Sequence, residues 1–228
     1  MISSMLNKSL DIKSAYLQQL LDSGEQEIYL STEVDFGMTI EEFHQKIKDC
    51  QKCALGKTRT KFVFGVGNPK ADLMLIGEAP GRDEDLKGTP FVGRAGQLLD
   101  KILESVNFAR EEVFITNILK CRPPNNRDPQ PGEVEQCMPY LNKQIEMIKP
   151  QIICCLGRVA AQYLLGTKES LAKLREKDYY YDGIKVFITY HPAALLRNQQ
   201  FKRPTWEDVK NLRRYYLKIN NLPAEKLD

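Results

Sequence analysis

The first segment that could carry chemistry runs from Gly77 to Gly96 and reads GEAPGRDEDLKGTPFVGRAG. It has neither the GxGxxG pattern nor the Walker pattern, so a dinucleotide or nucleoside-triphosphate site is not expected. Glycines let the backbone approach a flat ligand closely, and Phe91 could cover the face of that ligand by stacking. A structureless loop of this length is usually functional, so the segment predicts a pocket for a planar group.

The second segment surrounds His191, which follows an apolar run and precedes Pro192. Proline fixes the turn after the histidine. Asn117 ends another apolar run in the same way. A lone histidine is usually structural, but a polar residue at the carboxyl end of a strand, beside other polar strand ends, is more often functional, so both side chains are candidates for a functional role. The other histidine, His44, falls on an amphipathic helical pattern and is predicted to be a surface residue.

Cysteines form the third feature, and they divide into two groups. Four lie in loops or at the ends of predicted elements: Cys50, Cys53, Cys121 and Cys137. Four thiolates suit zinc or an iron–sulfur cluster, and their spacing does not separate the two. Cys154 and Cys155 lie inside an apolar run and are predicted to be buried core residues.

Composition fits one globular domain. The 228 residues are 42% apolar, and the charged residues, 28% of the chain, leave a net charge of only +3. Positive charge is concentrated between Arg197 and Lys218, where seven Lys or Arg face two acidic residues. Such a patch suits phosphate groups. No apolar run is long enough to cross a membrane and no signal peptide is apparent, so a cytoplasmic protein with reduced thiols is expected.

Apolar runs and helical patterns alternate along the chain, which is typical of a mostly parallel sheet. Strands are predicted at 72–77, 113–117, 151–157 and 185–189, and helices near 40–47, 97–106, 132–148, after 157, and at 205–219. The expected fold is therefore an α/β three-layer α/β/α sandwich around a four-stranded sheet. Its site should lie beyond the carboxyl ends of the strands.

Three regions are predicted along the chain. Residues 1–38 form an N-terminal extension and linker, in which Leu10, Leu17, Leu20 and Leu21 share one face of a helical pattern. Residues 39–220 form the α/β domain, and Thr39 with Glu42 makes a capping box at its first helix. Residues 221–228 form a short tail.

Taken together, the motifs resemble the family 4 uracil-DNA glycosylases, the iron–sulfur branch of that superfamily. The resemblance covers residues 39–220 and rests on GEAPG at 77–81, PFVGRAG at 90–96, TN at 116–117 with KCRPP at 120–124, and HP at 191–192 continuing to Asn198. It implies that uracil is flipped out of DNA into a pocket and that its N-glycosidic bond is hydrolysed. It also implies that the four loop cysteines hold a 4Fe-4S cluster.

The resemblance also implies roles for individual residues. Phe91 would stack on uracil, Asn117 would bond its Watson–Crick edge, the backbone of Gly77 and Glu78 would hold other edge atoms, and Glu84 would close the C5 side against a methyl group. Contacts to DNA would come from Leu195, Leu196, Arg197, Lys202 and Arg203, with one of the two leucines filling the gap left by the flipped base.

Catalysis is expected to depend on His191, with Glu78 and Asn117 completing the catalytic set. Ala79 stands where better-known uracil glycosylases carry an aspartate. The expected route is therefore dissociative, with His191 stabilising the charge that grows on uracil O2. Gln199 stands where proline is expected. Since no histidine lies between Asn117 and Cys137, ordinary turnover is expected rather than a covalent link to DNA.

Two other function classes fit part of the sequence. A non-catalytic iron–sulfur or zinc module that binds nucleic acid would explain the cysteines and the basic patch, but not the Gly77–Gly96 segment together with Asn117 and His191. A redox carrier fits less well, because the cysteines are widely separated along the chain. The partner expected is uracil-containing DNA, single- or double-stranded, bound by a monomer without membrane contact.

Overall fold

The computed structural model describes residues 37–227 and contains the four predicted strands. They run parallel to one another, and two short antiparallel strands flank them, so the sheet has six strands rather than four, in the order β1-β3-β2-β4-β6-β5. The strands are β1 Val66–Gly67, β2 Leu73–Gly77, β3 Phe114–Asn117, β4 Ile152–Leu156, β5 Tyr179–Tyr181 and β6 Ile184–Thr189.

Helices cover both faces of the sheet, as expected for the α/β sandwich. They are α1 Ile40–Ile47, α2 Leu55–Thr58, α3 Arg82–Lys87, α4 Arg94–Glu104, α5 Pro131–Ile148, α6 Arg158–Leu165, α7 Leu171–Arg175, α8 Pro192–Arg197 and α9 Lys202–Ile219. The predicted capping box of α1 is present, with Thr39 Oγ1 accepting from Glu42 N at 3.1 Å and Glu42 Oε2 accepting from Thr39 N at 2.8 Å.

Both faces of the parallel strands are buried, which explains their uninterrupted apolar sequences. On one face Leu73 and Leu75 of β2 pack with residues of α4 and α9 such as Leu99 and Leu212. On the other face Gln144 of α5 forms a hydrogen bond with Thr116 of β3. Cys154 and Cys155 of β4 are both buried, as predicted.

One helix within the Gly77–Gly96 segment was not predicted. Residues 82–87 form α3 because Glu84 reaches back to the N–H of Gly81 at 3.1 Å and because Gly88 ends the helix with a left-handed φ of 79°. Only glycine adopts that conformation without strain. The Gly77–Gly96 segment is thus an ordered connection between β2 and α4, and its helix fixes the position of Phe91.

The N-terminal extension and the C-terminal tail were both predicted to lie outside the α/β domain. The helical pattern at Leu10–Leu21 and nearly all of residues 1–38 lie outside the described residues. In the C-terminal tail, Glu225 accepts hydrogen bonds from Arg213 and from Asn107, which ties the tail to α9. The division at 38/39 remains a prediction. Within residues 37–227, no helix is both long enough and apolar enough to span a membrane.

Candidate active site

A cleft of about 380 Å³ opens at the carboxyl edge of the parallel strands, where the sequence placed the site. Its walls come from the ends of β2, β3 and β6, from the segment after β2 and from the loop before α5. Six of the predicted site residues line it: Glu78, Glu84, Phe91, Asn117, His191 and Arg197. The cleft therefore brings together side chains that are far apart in the sequence.

Gly77 leaves the space in which Asn117 and Phe91 face each other. A Cβ at position 77 would collide with Asn117 Oδ1 and would come within 2.8 Å of the Phe91 ring. Asn117 is buried. Among the buried side-chain nitrogen and oxygen atoms of residues 37–227, only its Oδ1 lacks a hydrogen-bond partner. An unpaired buried acceptor costs free energy, so this oxygen is poised to accept a hydrogen bond from a ligand in the cleft.

Phe91 is held in a strained conformation that aims its ring into the cleft. Its φ is +51°, which is unfavourable for a bulky residue. Glu84 supports this geometry, because its carboxylate accepts from Val92 N at 2.9 Å, Gly93 N at 3.0 Å and Gly81 N at 3.1 Å. Glu84 thus braces the segment as well as lining the cleft. Its predicted contact with the C5 side of uracil stays a prediction.

His191 lies at the start of α8 with one ring nitrogen already occupied. Its Nδ1 accepts from Ala193 N at 3.1 Å, so the proton of the neutral ring sits on Nε2. Burial lowers the pKa of His191 to about 4, with Arg197 adding to the effect and Glu84 opposing it. The ring is therefore neutral at pH 7, and Nε2–H is a hydrogen-bond donor. The ring stacks with Phe91 at a centroid distance of 5.5 Å.

A polar network behind His191 fixes the end of β6. Asp208 accepts from Thr189 Oγ1 at 2.7 Å and from Arg175 through two hydrogen bonds of 2.8 Å. The Arg175 guanidinium also lies over the ring of Tyr190, 4.6 Å from its centroid. Asp208 is one of the two acidic residues within the basic segment Arg197–Lys218. Its carboxylate points inward, however, and orients the residues that precede His191.

Glu78 is the carboxyl group of the cleft whose pKa is most strongly shifted. Burial raises the pKa of Glu78 to about 7, and Asp128 raises it further, whereas Arg158 and Arg197 oppose them. The backbone carbonyls of Gly77 and Glu78 accept from Ile118 N at 2.9 Å and Leu119 N at 3.0 Å. Glu78 is therefore held in place by the sheet and titrates near neutral pH.

The structure separates the two leucines that the sequence could not distinguish. Leu195 is only 2% exposed and packs inside, so its predicted contact with DNA is corrected to a packing role, whereas Leu196 is 43% exposed. Arg197 lies at the cleft, and Lys202 and Arg203 are exposed at the start of α9. The basic patch is smaller than its sequence suggests, because Lys210 pairs with Glu207 and Arg213 pairs with Glu225.

The four predicted ligands Cys50, Cys53, Cys121 and Cys137 lie near one another around the end of α1. Three lie outside helices and strands, as predicted, but Cys137 lies within α5 rather than in a loop or at the end of an element. Burial raises the pKa of Cys121 and of Cys137. Charge on Cys137 and Cys53 adds to the effect at Cys121, and charge on Cys53 and Cys50 adds to it at Cys137, so the four thiols lie within electrostatic reach of one another. Hydrogen bonds reach three sulfurs, from Tyr140 to Cys50 at 3.2 Å, from Lys120 N to Cys137 at 3.3 Å and from Arg59 to Cys121 at 3.4 Å. Donors of this kind are typical of the surroundings of metal-bound thiolates.

Four cysteine thiols are a donor set that suits an iron–sulfur cluster or zinc. Among residues 37–227, no group of three or more His, Cys, Asp or Glu side chains is already arranged to hold a metal ion. The chemistry of the four thiols therefore fits an iron–sulfur cluster, and it would fit zinc as well.

Four residues around the site were missed from the sequence: Lys120, Arg59, Asp128 and Arg158. Lys120 is buried beside Asn117, and Arg59 joins the carbonyls of Lys48 and Cys50 to the Cys121 sulfur. Asp128 and Arg158 form an ion pair at 3.0 Å next to Glu78. Only Lys120 had a local signal, since it lies between Asn117 and Cys121. His44, predicted to be a surface residue, is half-buried and stacks on Phe64 at 4.6 Å.

Comparisons with known proteins agree with this site. Residues 64–210 match the model of the uracil DNA glycosylase superfamily. The type-4 uracil-DNA glycosylase of Archaeoglobus fulgidus is 47% identical over 182 residues, which are 76% of this chain and 92% of the relative. Those of Saccharolobus solfataricus (48% identical, 74% and 82%) and Sulfurisphaera tokodaii (44% identical, 77% and 84%) are similar at comparable levels. The chain belongs to the uracil DNA glycosylase superfamily and, within it, to the type-4 family.

Proposed function

We propose that this chain removes uracil from DNA by hydrolysing the N-glycosidic bond, leaving an abasic site for base excision repair. The observation that carries the proposal is the unpaired, buried Oδ1 of Asn117, which faces a cleft floored by Phe91. Uracil offers an N–H beside a C=O on its Watson–Crick edge, and a side-chain amide can pair with both groups.

Recognition requires that the base leave the DNA stack. A cleft of about 380 Å³ accepts one flipped nucleotide base and not a duplex. Phe91 stacks on the ring, Asn117 reads its edge, and the backbone beside Gly77 lies close because no Cβ intervenes. Glu84 forms the wall on the C5 side.

Bond cleavage follows a dissociative route in which His191 is the electrophile. The N1–C1′ bond breaks, its electron pair goes to uracil, and Nε2–H of neutral His191 donates to the charge that grows on O2. Such a preorganised donor in a dry site is worth about 3–4 kcal/mol. Water then bonds to C1′ and loses a proton, and the uracil anion takes up a proton from solvent. Glu78 contributes negative charge near the sugar cation.

The pH profile tests the role of Glu78. Below pH 7 its carboxyl is mostly protonated and neutral, and above pH 7 it is ionised, because burial raises its pKa to about 7. If the carboxylate stabilises the sugar cation, kcat/KM should rise about tenfold from pH 6 to pH 8. His191 stays neutral across that range and adds no inflection. Glu78→Gln should flatten the profile, and an unchanged inflection in that variant would exclude Glu78.

Contacts with DNA come from the exposed residues beside the cleft. Leu196 fills the gap that the flipped base leaves in a duplex, while Arg197, Lys202 and Arg203 bind phosphates. Leu196→Ala should lower kcat/KM about tenfold on duplex substrate and less on single strands, where there is no stack to refill. Leu222→Ala, at an equally exposed leucine, serves as the control. An equal loss on both substrates would argue against a wedge.

Cys50, Cys53, Cys121 and Cys137 would hold a 4Fe-4S cluster. Bound there, the cluster would supply a structural cross-link between the end of α1, the loop after β3 and α5, and it would take no part in bond cleavage. Retention of iron and acid-labile sulfide in the purified protein would distinguish the cluster from zinc. We further propose that the chain acts as a monomer in the cytoplasm, where buried thiols stay reduced.

A uracil-release assay tests the proposed function. The chain is incubated with an oligonucleotide that contains one deoxyuridine, and free uracil and strand breaks at the abasic site are measured. Release from the deoxyuridine strand, none from a thymidine strand, and a strong loss in Asn117→Ala are expected. Binding of the oligonucleotide without release by the iron-containing protein would instead favour the non-catalytic nucleic-acid-binding module.

A further inference from the structure

Lys120 is a buried lysine for which the proposed reaction has no use. Its side chain is 0% exposed. Its ammonium donates to Thr116 Oγ1 at 2.5 Å, Gln144 Oε1 at 2.6 Å and the backbone carbonyl of Asn117 at 2.8 Å. Three donors thus meet three acceptors, and these partners are a hydroxyl, an amide oxygen and a carbonyl rather than a carboxylate.

Burial lowers the pKa of Lys120 to about 7, although Cys137 and Cys121 oppose that shift. An apolar side chain of similar length would fill the same space without the cost of burying a polar head group. Stability alone therefore does not account for a lysine here, and what an apolar residue would lack is the three hydrogen bonds. Its neighbours point to another reason, because one of the three hydrogen bonds holds the main chain of the residue whose side chain enters the cleft.

Residues 117–120 form a continuous hydrogen-bonded path between the cleft and the cysteines. Ile118 N and Leu119 N bond to the carbonyls of Gly77 and Glu78, and Lys120 N donates to Cys137 Sγ at 3.3 Å. The Lys120 carbonyl accepts from Val63 N at 2.8 Å. The Lys120 backbone is thus anchored at the cysteines, while its side chain turns back to the end of β3.

We propose that Lys120 is a positioning residue that clamps the Asn117 carbonyl between β3 and α5 and so aims the Asn117 amide at the base. The inference rests on the proposed function, because it assigns Asn117 the reading of uracil. With the ammonium gone, Asn117 rotates about its backbone. A displacement of about 1 Å at a recognition group can cost as much as 100-fold in rate.

Lys120→Met tests the clamp, because methionine has a similar length and no donor. We expect kcat/KM for uracil release to fall between about 10-fold and 100-fold. Binding to an oligonucleotide with one 2′-fluoro-2′-deoxyuridine, which resists cleavage, should lose most of its preference over a thymidine strand. This binding assay measures base recognition even if the wild-type protein releases no uracil. A negative result for the proposed function can therefore be distinguished from a negative result for the role of Lys120.

A double-mutant cycle separates positioning from general support. If Lys120 acts through Asn117, then Asn117→Ala with Lys120→Met should be no worse than Asn117→Ala alone. If the two losses multiply, Lys120 acts elsewhere and the proposal is wrong. Iron and sulfide per chain should stay at the wild-type level in Lys120→Met, and their loss would likewise overturn the proposal by placing the effect at the cysteines.

Stability is controlled with two further variants. Lys120→Met removes the shorter hydrogen bond to Gln144 Oε1, at 2.6 Å, and leaves only the bond from Thr116 Oγ1 at 3.3 Å. Adding Gln144→Met removes this acceptor as well and should recover part of the lost thermal stability. The proposal expects uracil discrimination to stay low in that double variant, and recovery of discrimination together with stability would refute it. Lys185→Met removes another buried lysine, paired with Asp178 away from the cleft, and should leave uracil release unchanged.

Discussion

His191→Ala is expected to lower kcat for uracil release by about 10²-fold to 10³-fold, the loss seen when one donor to a developing oxyanion is removed. Binding to DNA should change little, because that contact strengthens only as charge grows on O2. The size of the effect follows from the surroundings of the ring. Nδ1 is occupied by Ala193 N–H, so Nε2 carries the proton, and burial keeps the ring neutral.

The ring of His191 is neutral because burying a charged imidazolium in this cleft would cost more free energy than releasing its proton. A pKa of about 4 means that His191 donates a hydrogen bond without delivering a proton at pH 7. His191→Gln, which keeps an N–H donor, should recover part of the activity that alanine loses. His44→Ala is the matched control, since it removes the other histidine of the chain, which does not line the cleft. Wild-type rates in His191→Ala would remove His191 from the mechanism.

Much of the fold could be predicted because parallel strands buried on both faces are continuous apolar runs. All four of these runs became strands, and their carboxyl ends meet at one edge. The two edge strands were missed for different reasons. β1 has two residues and no pattern. β5 did have a signal, because Asp182-Gly183 separates Tyr181 from Ile184, and such a pair is typical of a hairpin turn.

The identity of most residues in the candidate site could be predicted from the sequence, but their burial, hydrogen bonds and pKa values could not. Leu195 and Leu196 are identical in type, and only the direction in which α8 packs makes one buried and the other exposed. Glu84 gave no sign that its oxygens would bind three backbone N–H groups, since two of those groups follow it by eight and nine residues. The raised pKa of Glu78 and the lowered pKa of His191 depend on burial, which composition does not encode.

The second large effect is expected at the cysteines. If the four cysteines hold the proposed cluster, Cys137→Ala should abolish iron binding and lower the free energy of unfolding by about 3–5 kcal/mol, by analogy with the loss of a covalent cross-link between distant segments. For a chain of this size that corresponds to a fall in Tm of about 10–15 °C. The sites joined are far apart in sequence, from Cys50 at the end of α1 to Cys137 within α5, so losing the link frees a long stretch of chain.

Cys154→Ala provides the control that separates ligation from burial. Cys137 and Cys154 are both buried, but Cys154 lies within β4 and packs in the hydrophobic core with Leu75 and Leu156. Its loss should cost only about 1 kcal/mol, the effect of a small cavity, and should leave iron and sulfide unchanged. If both variants lose stability equally and both keep iron, Cys137 is a packing residue, and the cross-link must be assigned to other side chains. If only Cys137→Ala loses iron, the thiols around α1 are ligands, and the integrity of the cleft depends on them through the Lys120 backbone, which bonds to the Cys137 sulfur.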